Sequence, residues 1–262
     1  MQDKDRTLVI SDATQLHSPA SRRGFLRAMG LGGAVVLLPS AFAACKDSTS
    51  SLAEPDVQAV LGNGNEVVTL DLNTDVGILN YAYALEQLEA AFYTAVVGSS
   101  VFSQLNAEQQ EIMNDLREHE VIHREFLRAA IAANGGTPLP ALQANFAATL
   151  TSTQNILNAA MAFEDLGVAA YNGAGKYLQN ATFLTLAGKI VSVEARHAAA
   201  IRDTMDTTGR AFATFSNEAA LGASNSNALD GALEPTAVFA AVGATGVLRT
   251  PIRLGALPAA VA

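Results

Sequence analysis

Glu120-Val121-Ile122-His123 and Glu194-Ala195-Arg196-His197 each place a carboxylate three residues ahead of an imidazole. On a helix, side chains three apart share one face, with Cβ atoms about 5–6 Å from each other. A carboxylate oxygen and an imidazole nitrogen held that way converge on a single metal ion. Beyond Cys45 the chain has three histidines (His119, His123 and His197) and 13 glutamates in 217 residues. Two of three histidines would gain such a partner by accident with odds of roughly 1 in 100, which marks the pair as a motif.

Helices must present these side chains, and the punctuation of the sequence supplies four. The first is expected from Asn73-Thr74-Asp75, with Asn or Thr as cap, to about Val97, where Gly98 stops it. Its inward stripe is Leu79, Ala82, Glu86, Glu89, Tyr93 and Val96, and two of those positions are acidic. The second opens at Asn106 and closes at Asn134-Gly135-Gly136, with Met113, Leu116, Glu120, His123, Leu127 and Ala130 inward. Pro138 and Pro140 begin a crossover. The third helix is expected from Thr151-Ser152 to Tyr171, ended by Gly173 and Gly175, with Leu157, Ala160, Glu164, Gly167 and Tyr171 inward. The fourth runs from about Thr182 to Thr207, with Ala187, Ile190, Glu194, His197 and Ile201 inward. Two short links and one crossover describe a four-helix bundle made of two helix pairs.

The pairs repeat each other. Leu85-Glu86-Gln87-Leu88 aligns with Phe163-Glu164-Asp165-Leu166, and a tyrosine follows each Glu by seven residues, as Tyr93 and Tyr171. The Glu-x-x-His pairs then follow 34 and 30 residues after Glu86 and Glu164. This register makes Glu86, rather than Glu89, the counterpart of Glu164 and sets Gly167 opposite Glu89. Four carboxylates and two imidazoles in a bundle core must be paired or bind metal. Two divalent cations would neutralise the four carboxylates and use both histidines.

Residues 74–207 resemble a ferritin-like domain, and with Arg22-Arg23-Gly24-Phe25-Leu26 ahead of an apolar run the chain resembles the exported, twin-arginine-signalled type that includes desiccation-related bacterial proteins. The fold so implied is all-α, a four-helix bundle with one crossover connection, followed here by an irregular C-terminal extension. The resemblance implies two iron or manganese ions, with Glu86 and Glu164 as terminal ligands, Glu120 and Glu194 bridging, and His123 and His197 each capping one metal. Tyr93 and Tyr171 fall where related proteins keep tyrosines beside the metals, so they are the expected catalytic side chains. Glu89 departs from the six-ligand pattern and is a seventh ligand, a hydrogen-bond acceptor behind the ligands, or a proton relay. His119 either touches metal or lies behind the ligands or on the surface. The implied activity is an oxidoreductase using oxygen, peroxide or Fe(II) (ferroxidase, peroxidase or catalase-like). The alternative is a non-enzymatic envelope stress protein with a structural or vestigial metal site. An iron-storage cage fits poorly with a tethered N-terminus and a long apolar tail. The partners that follow are a small oxidant or Fe(II) and, as an option, a homo-oligomer.

The flanks define the setting. Ser21-Arg22-Arg23-Gly24-Phe25-Leu26-Arg27 matches a twin-arginine export signal, and the apolar run Ala28 to Leu38 is too short to span a bilayer. Cleavage after Ala41-Phe42-Ala43 would release a soluble protein, whereas Phe42-Ala43-Ala44-Cys45 resembles a lipobox whose cysteine is lipidated. That Cys45 is the sole cysteine favours the lipid anchor and rules out an intrachain disulfide. Residues 1–45 are therefore an address for the periplasm or cell envelope, and 46–73 a linker and irregular segment. Past Cys45 there are 11 basic and 22 acidic residues, a body that repels nucleic acid and anionic lipid. Residues 208–262 are poor in charge; Glu234-Pro235-Thr236 is expected to start a short helix through Val242, and the rest reads as extended coil packed along the bundle or on a partner.

Overall fold

The computed structural model describes residues 67–205 and 229–257 of the 262. The export signal, Cys45, most of the linker and the expected helix end at Thr207 lie outside the described residues. Strand β1 (Val68–Leu70) precedes four long helices, α1 (Asp75–Val97), α2 (Ala107–Ala133), α3 (Thr153–Gly175) and α4 (Ala181–Met205). Helix α5 (Pro235–Thr245) and strand β2 (Ile252–Leu254) complete the chain order. The four expected helix starts hold to within a few residues, as do the expected ends of α1 and α2, and α3 runs on to Gly175.

Capping chemistry sets where the helices begin. The Thr74 hydroxyl accepts from the Gly77 N–H at the start of α1. Asn106 and Gln109 exchange hydrogen bonds in a reciprocal box that opens α2. Ser152 accepts from the Asn155 N–H to start α3. Asp75, in the first turn of α1, takes the Gln179 and Asn180 amides at 2.7 and 2.9 Å, so one carboxylate ties the α3–α4 link to the other pair.

Two further polar residues of α1 are spent on the crossover. The Asn80 amide donates to the Thr137 carbonyl and accepts from the Leu139 amide. Gln87 does the same one turn-pair later, donating to the Pro140 carbonyl and accepting from the Leu142 amide. An irregular segment with two prolines has few backbone bonds of its own. These side chains satisfy its amides and carbonyls where burial would otherwise leave them unpaired, at about 1–3 kcal/mol each.

The core runs on both sides of the acidic layer. Phe92, Phe146 and Phe163 pack edge to face, with Phe92 4.9 Å from Phe163 and 5.6 Å from Phe146 between ring centres. Toward the other end Leu70, Leu72, Ile78, Tyr81, Leu85 and Leu166 are buried together with Val238 and Val242 of α5. Among the described residues, no helix is long and apolar enough to cross a membrane.

The structure corrects the reading of the flanks in three places. The 46–73 segment is not wholly irregular: among its described residues, Val68–Leu70 pairs in parallel with Ile252–Leu254, in register Val68 to Ile252. The tail is accordingly not plain coil, and its helix extends to Thr245, where Gly246 takes the left-handed conformation (φ 66°) that glycine favours. Nor does Gly173 stop α3, which passes through it. A Cβ at Gly173 would lie 1.8 Å from the Leu233 carbonyl oxygen, and the Leu233 amide donates to the Ala169 carbonyl at 2.9 Å. Gly173 is there to let the tail backbone lie against the helix. Gly173→Ala is expected to cost about 1–3 kcal/mol by overpacking and to release the 229–257 segment. Limited proteolysis should then cut that segment faster while helicity by circular dichroism is kept; unchanged protection would show that the close approach is dispensable.

Candidate metal centre

Each long helix delivers its acidic or imidazole positions to one layer of the bundle. Glu86 and Glu89 come from α1, Glu120 and His123 from α2, Glu164 from α3, and Glu194 and His197 from α4. The four glutamates Glu86, Glu120, Glu164 and Glu194 have no solvent exposure, and His197 is 5% exposed. Spacing dictates this: each of these residues occupies the inward stripe of its helix, so all are buried with the stripe except His123, whose side chain keeps 12% exposure.

The contacts are nearly two-fold symmetric. His123 Nδ1 is 2.9 Å from Glu194 Oε1 and 3.5 Å from Glu86 Oε2 and from Glu120 Oε2. His197 Nδ1 is 2.8 Å from Glu120 Oε1, 3.3 Å from Glu164 Oε2 and 3.4 Å from Glu194 Oε2. Two overlapping groups result, Glu86, Glu120, His123 and Glu194, and Glu120, Glu164, Glu194 and His197, with the ligand-type atoms of each group within 4.8 Å of one another. Glu120 and Glu194 belong to both groups.

Tyrosines tie the halves together. The Tyr93 hydroxyl donates to Glu164 Oε1 at 2.5 Å, and Tyr171 donates to Glu86 Oε1 at 2.5 Å. Each phenol therefore serves the glutamate of the opposite half, which the repeat alone does not reveal. Burial, and then the neighbouring Glu164 or Glu86 charge, pushes both phenols well above their ordinary range, so they stay protonated donors.

The electrostatics of the cluster are those of a charge set short of cations. Burial raises Glu164 to about 8 against the opposing contact with His197. Glu86 and Glu89 are also driven well up, first by burial and then by the surrounding carboxylates. Burial acts the same way on Glu120, but His123 and His197 outweigh it and bring that carboxyl down to about 2. For the two imidazoles burial is likewise outweighed, and their carboxylate contacts push both up to about 12.

A metal fits these residues because two imidazoles are too few partners for their carboxylate oxygens. Eight buried ligand-type atoms converge here with one another as their partners: six carboxylate oxygens, both of Glu120 and of Glu194 and Oε2 of Glu86 and Glu164, face two imidazole nitrogens, Nδ1 of His123 and His197. A buried, unpaired charge costs several kcal/mol, more than the roughly 1.5–3 kcal/mol gained by burying a leucine. Divalent cations would satisfy all eight atoms at once.

Residues 74–207, more than half of the chain, match the family described as ferritin-like domain. The chain belongs to the ferritin-like family. No curated protein matches it. Within the ferritin-like bundle, Glu89 stands apart from both four-residue groups, its Oε2 unpaired and its Oε1 3.0 Å from where a Cβ on Gly167 would sit. Gly167 thus provides the room that the seventh acidic or imidazole side chain of the layer needs.

Two positions needed the tertiary structure. His119 sits behind the ligand-type atoms, its Nδ1 2.8 Å from Nε2 of His197 and its ring stacked on that imidazole at 5.1 Å. Asp165, which aligns with Gln87 in the repeat, is 4% exposed and ion-paired with Arg202. Burial, opposed by Arg202, raises Asp165 to about 6. The adjacent Glu164 hid it in the sequence, and the only signal was the failure of Gln87 and Asp165 to match chemically.

Proposed function

We propose that this ferritin-like domain holds two divalent ions, iron or manganese, and works as an exported oxidoreductase on oxygen, peroxide or Fe(II). One observation carries this reading: eight buried ligand-type atoms, six carboxylate oxygens facing two imidazole nitrogens, fall into two groups that share Glu120 and Glu194. Glu86 with His123 would serve one ion, Glu164 with His197 the other, and the shared glutamates both. Iron or manganese held there would supply redox electrons and charge stabilisation for a small oxidant.

The chain's own contribution is orientation and exclusion of water. Tyr171 and Tyr93 occupy Oε1 of Glu86 and Glu164, which leaves the Oε2 atoms, 3.5 and 3.3 Å from the imidazoles, turned toward the site. The same phenols are oxidisable groups in direct contact with the carboxylate set, a placement suited to supplying or quenching oxidising equivalents. Full burial of the four glutamates keeps water from competing for their oxygens.

Elemental analysis of protein purified with its signal intact should find about two ions per chain, and the loaded protein should turn over Fe(II) or peroxide. Fewer than about one ion per chain would overturn the reading; full loading without turnover would leave the metal a structural role. Export rests on the Arg22-Arg23 signal and lipidation on Cys45. Cys45→Ala is expected to move the protein from the membrane to the soluble fraction, and an unchanged soluble distribution would mean cleavage after Ala43.

A further inference from the structure

We infer that His119 is a positioning residue for the metal site on the His197 side only, making the two ion positions of the pseudo-symmetric pair inequivalent. The inference rests on the dimetal reading above. His197 turns Nδ1 toward Glu120, Glu164 and Glu194. An imidazole that gives its Nδ1 lone pair to a metal carries its proton on Nε2, and that N–H must find an acceptor when buried. His119 Nδ1, 2.8 Å away, is that acceptor, and the stacked rings at 27° hold the pair in one orientation.

The repeat shows that this device belongs to one half. His119 directly precedes Glu120, and the residue directly preceding Glu194 is Val193, which has no side-chain donor or acceptor. The His123 imidazole therefore receives no counterpart of the His119 contact from the equivalent position. His119 is itself exposed, so the partner of a buried ligand reaches the surface of the bundle.

The test uses full-length protein titrated with Mn(II). Asparagine is the informative replacement, because its Oδ1 occupies the same place along the side chain as histidine Nδ1 and accepts the same hydrogen bond. His119→Ala should weaken one ion about 10–100-fold and leave the other at native affinity, and the signal of coupled Mn(II) pairs in electron paramagnetic resonance should give way to that of single ions at limiting metal. His119→Asn should restore affinity and coupling. Background variants locate the effect: with Glu86→Ala the remaining tight ion should be lost on adding His119→Ala, and with Glu164→Ala it should be kept. Native affinity for both ions in His119→Ala, equal weakening in His119→Asn, or the same response in both backgrounds overturns the assignment. Failure of the unsubstituted protein to bind Mn(II) would instead overturn the dimetal reading and His119's role with it.

Discussion

Glu120→Ala and Glu194→Ala are each expected to empty both metal positions, whereas Glu86→Ala and Glu164→Ala each empty or weaken one. Glu120 and Glu194 supply atoms to both four-residue groups. Removing either takes a ligand from two sites that need near-complete coordination. The terminal glutamates belong to one group each, and their loss also frees a tyrosine hydroxyl, Tyr171 for Glu86 and Tyr93 for Glu164. Glu89→Ala should keep both ions, since Glu89 lies outside both groups and Gly167 faces it with no matching ligand. Metal content of the five variants under one loading protocol gives the order directly. Greater loss from Glu89→Ala than from Glu86→Ala would overturn Glu86 as the ligand from α1.

Metal loading should release about two or more protons per chain near pH 7 and tighten about 100-fold per pH unit for two protons. The imidazoles of His123 and His197, held at about 12 by their carboxylate contacts despite burial, must each lose a proton before Nδ1 can bind an ion. Glu164, raised to about 8 by burial, adds to the release below that pH. Protons and metal compete, so affinity rises with pH. Titration calorimetry in two buffers of different ionisation enthalpy counts the protons; a flat pH profile with no release would remove both imidazoles from the ligand set. The stability of the metal-free protein should move the other way. A carboxyl raised from 4.5 to about 8 contributes stability that is full below 4.5 and lost as pH rises through 8. Glu86 and Glu89 shift in the same direction, and Glu120, held near 2, does not titrate in that window. Thermal melts of metal-free protein at pH 5 and pH 8 read this difference, with the lower melting temperature expected at pH 8.

Whatever depends on neighbours in sequence was legible in the sequence. Helix faces follow from three- and four-residue spacing, so Glu86, Glu120, His123, Glu164, Glu194 and His197 could be placed on inward stripes before any fold was known. Caps act within one turn, which is why Thr74, Asn106 and Ser152 marked the helix starts. The repeat then chose Glu86 over Glu89, and the geometry groups Glu86 with His123. The pairing of side chains across helices was left to the tertiary structure, because spacing names a face and not the residue opposite. Only packing shows that Tyr93 reaches Glu164 and Tyr171 reaches Glu86, or that His119 meets His197 rather than solvent alone. Strands of three residues are too short to show alternation, and their backbone bonds leave no mark on side-chain pattern, so β1 and β2 were invisible until paired. Gly173 read as a helix stop for the same reason: the carbonyl that requires its missing Cβ belongs to Leu233, 60 residues away in the chain and in contact only once the tail has folded back.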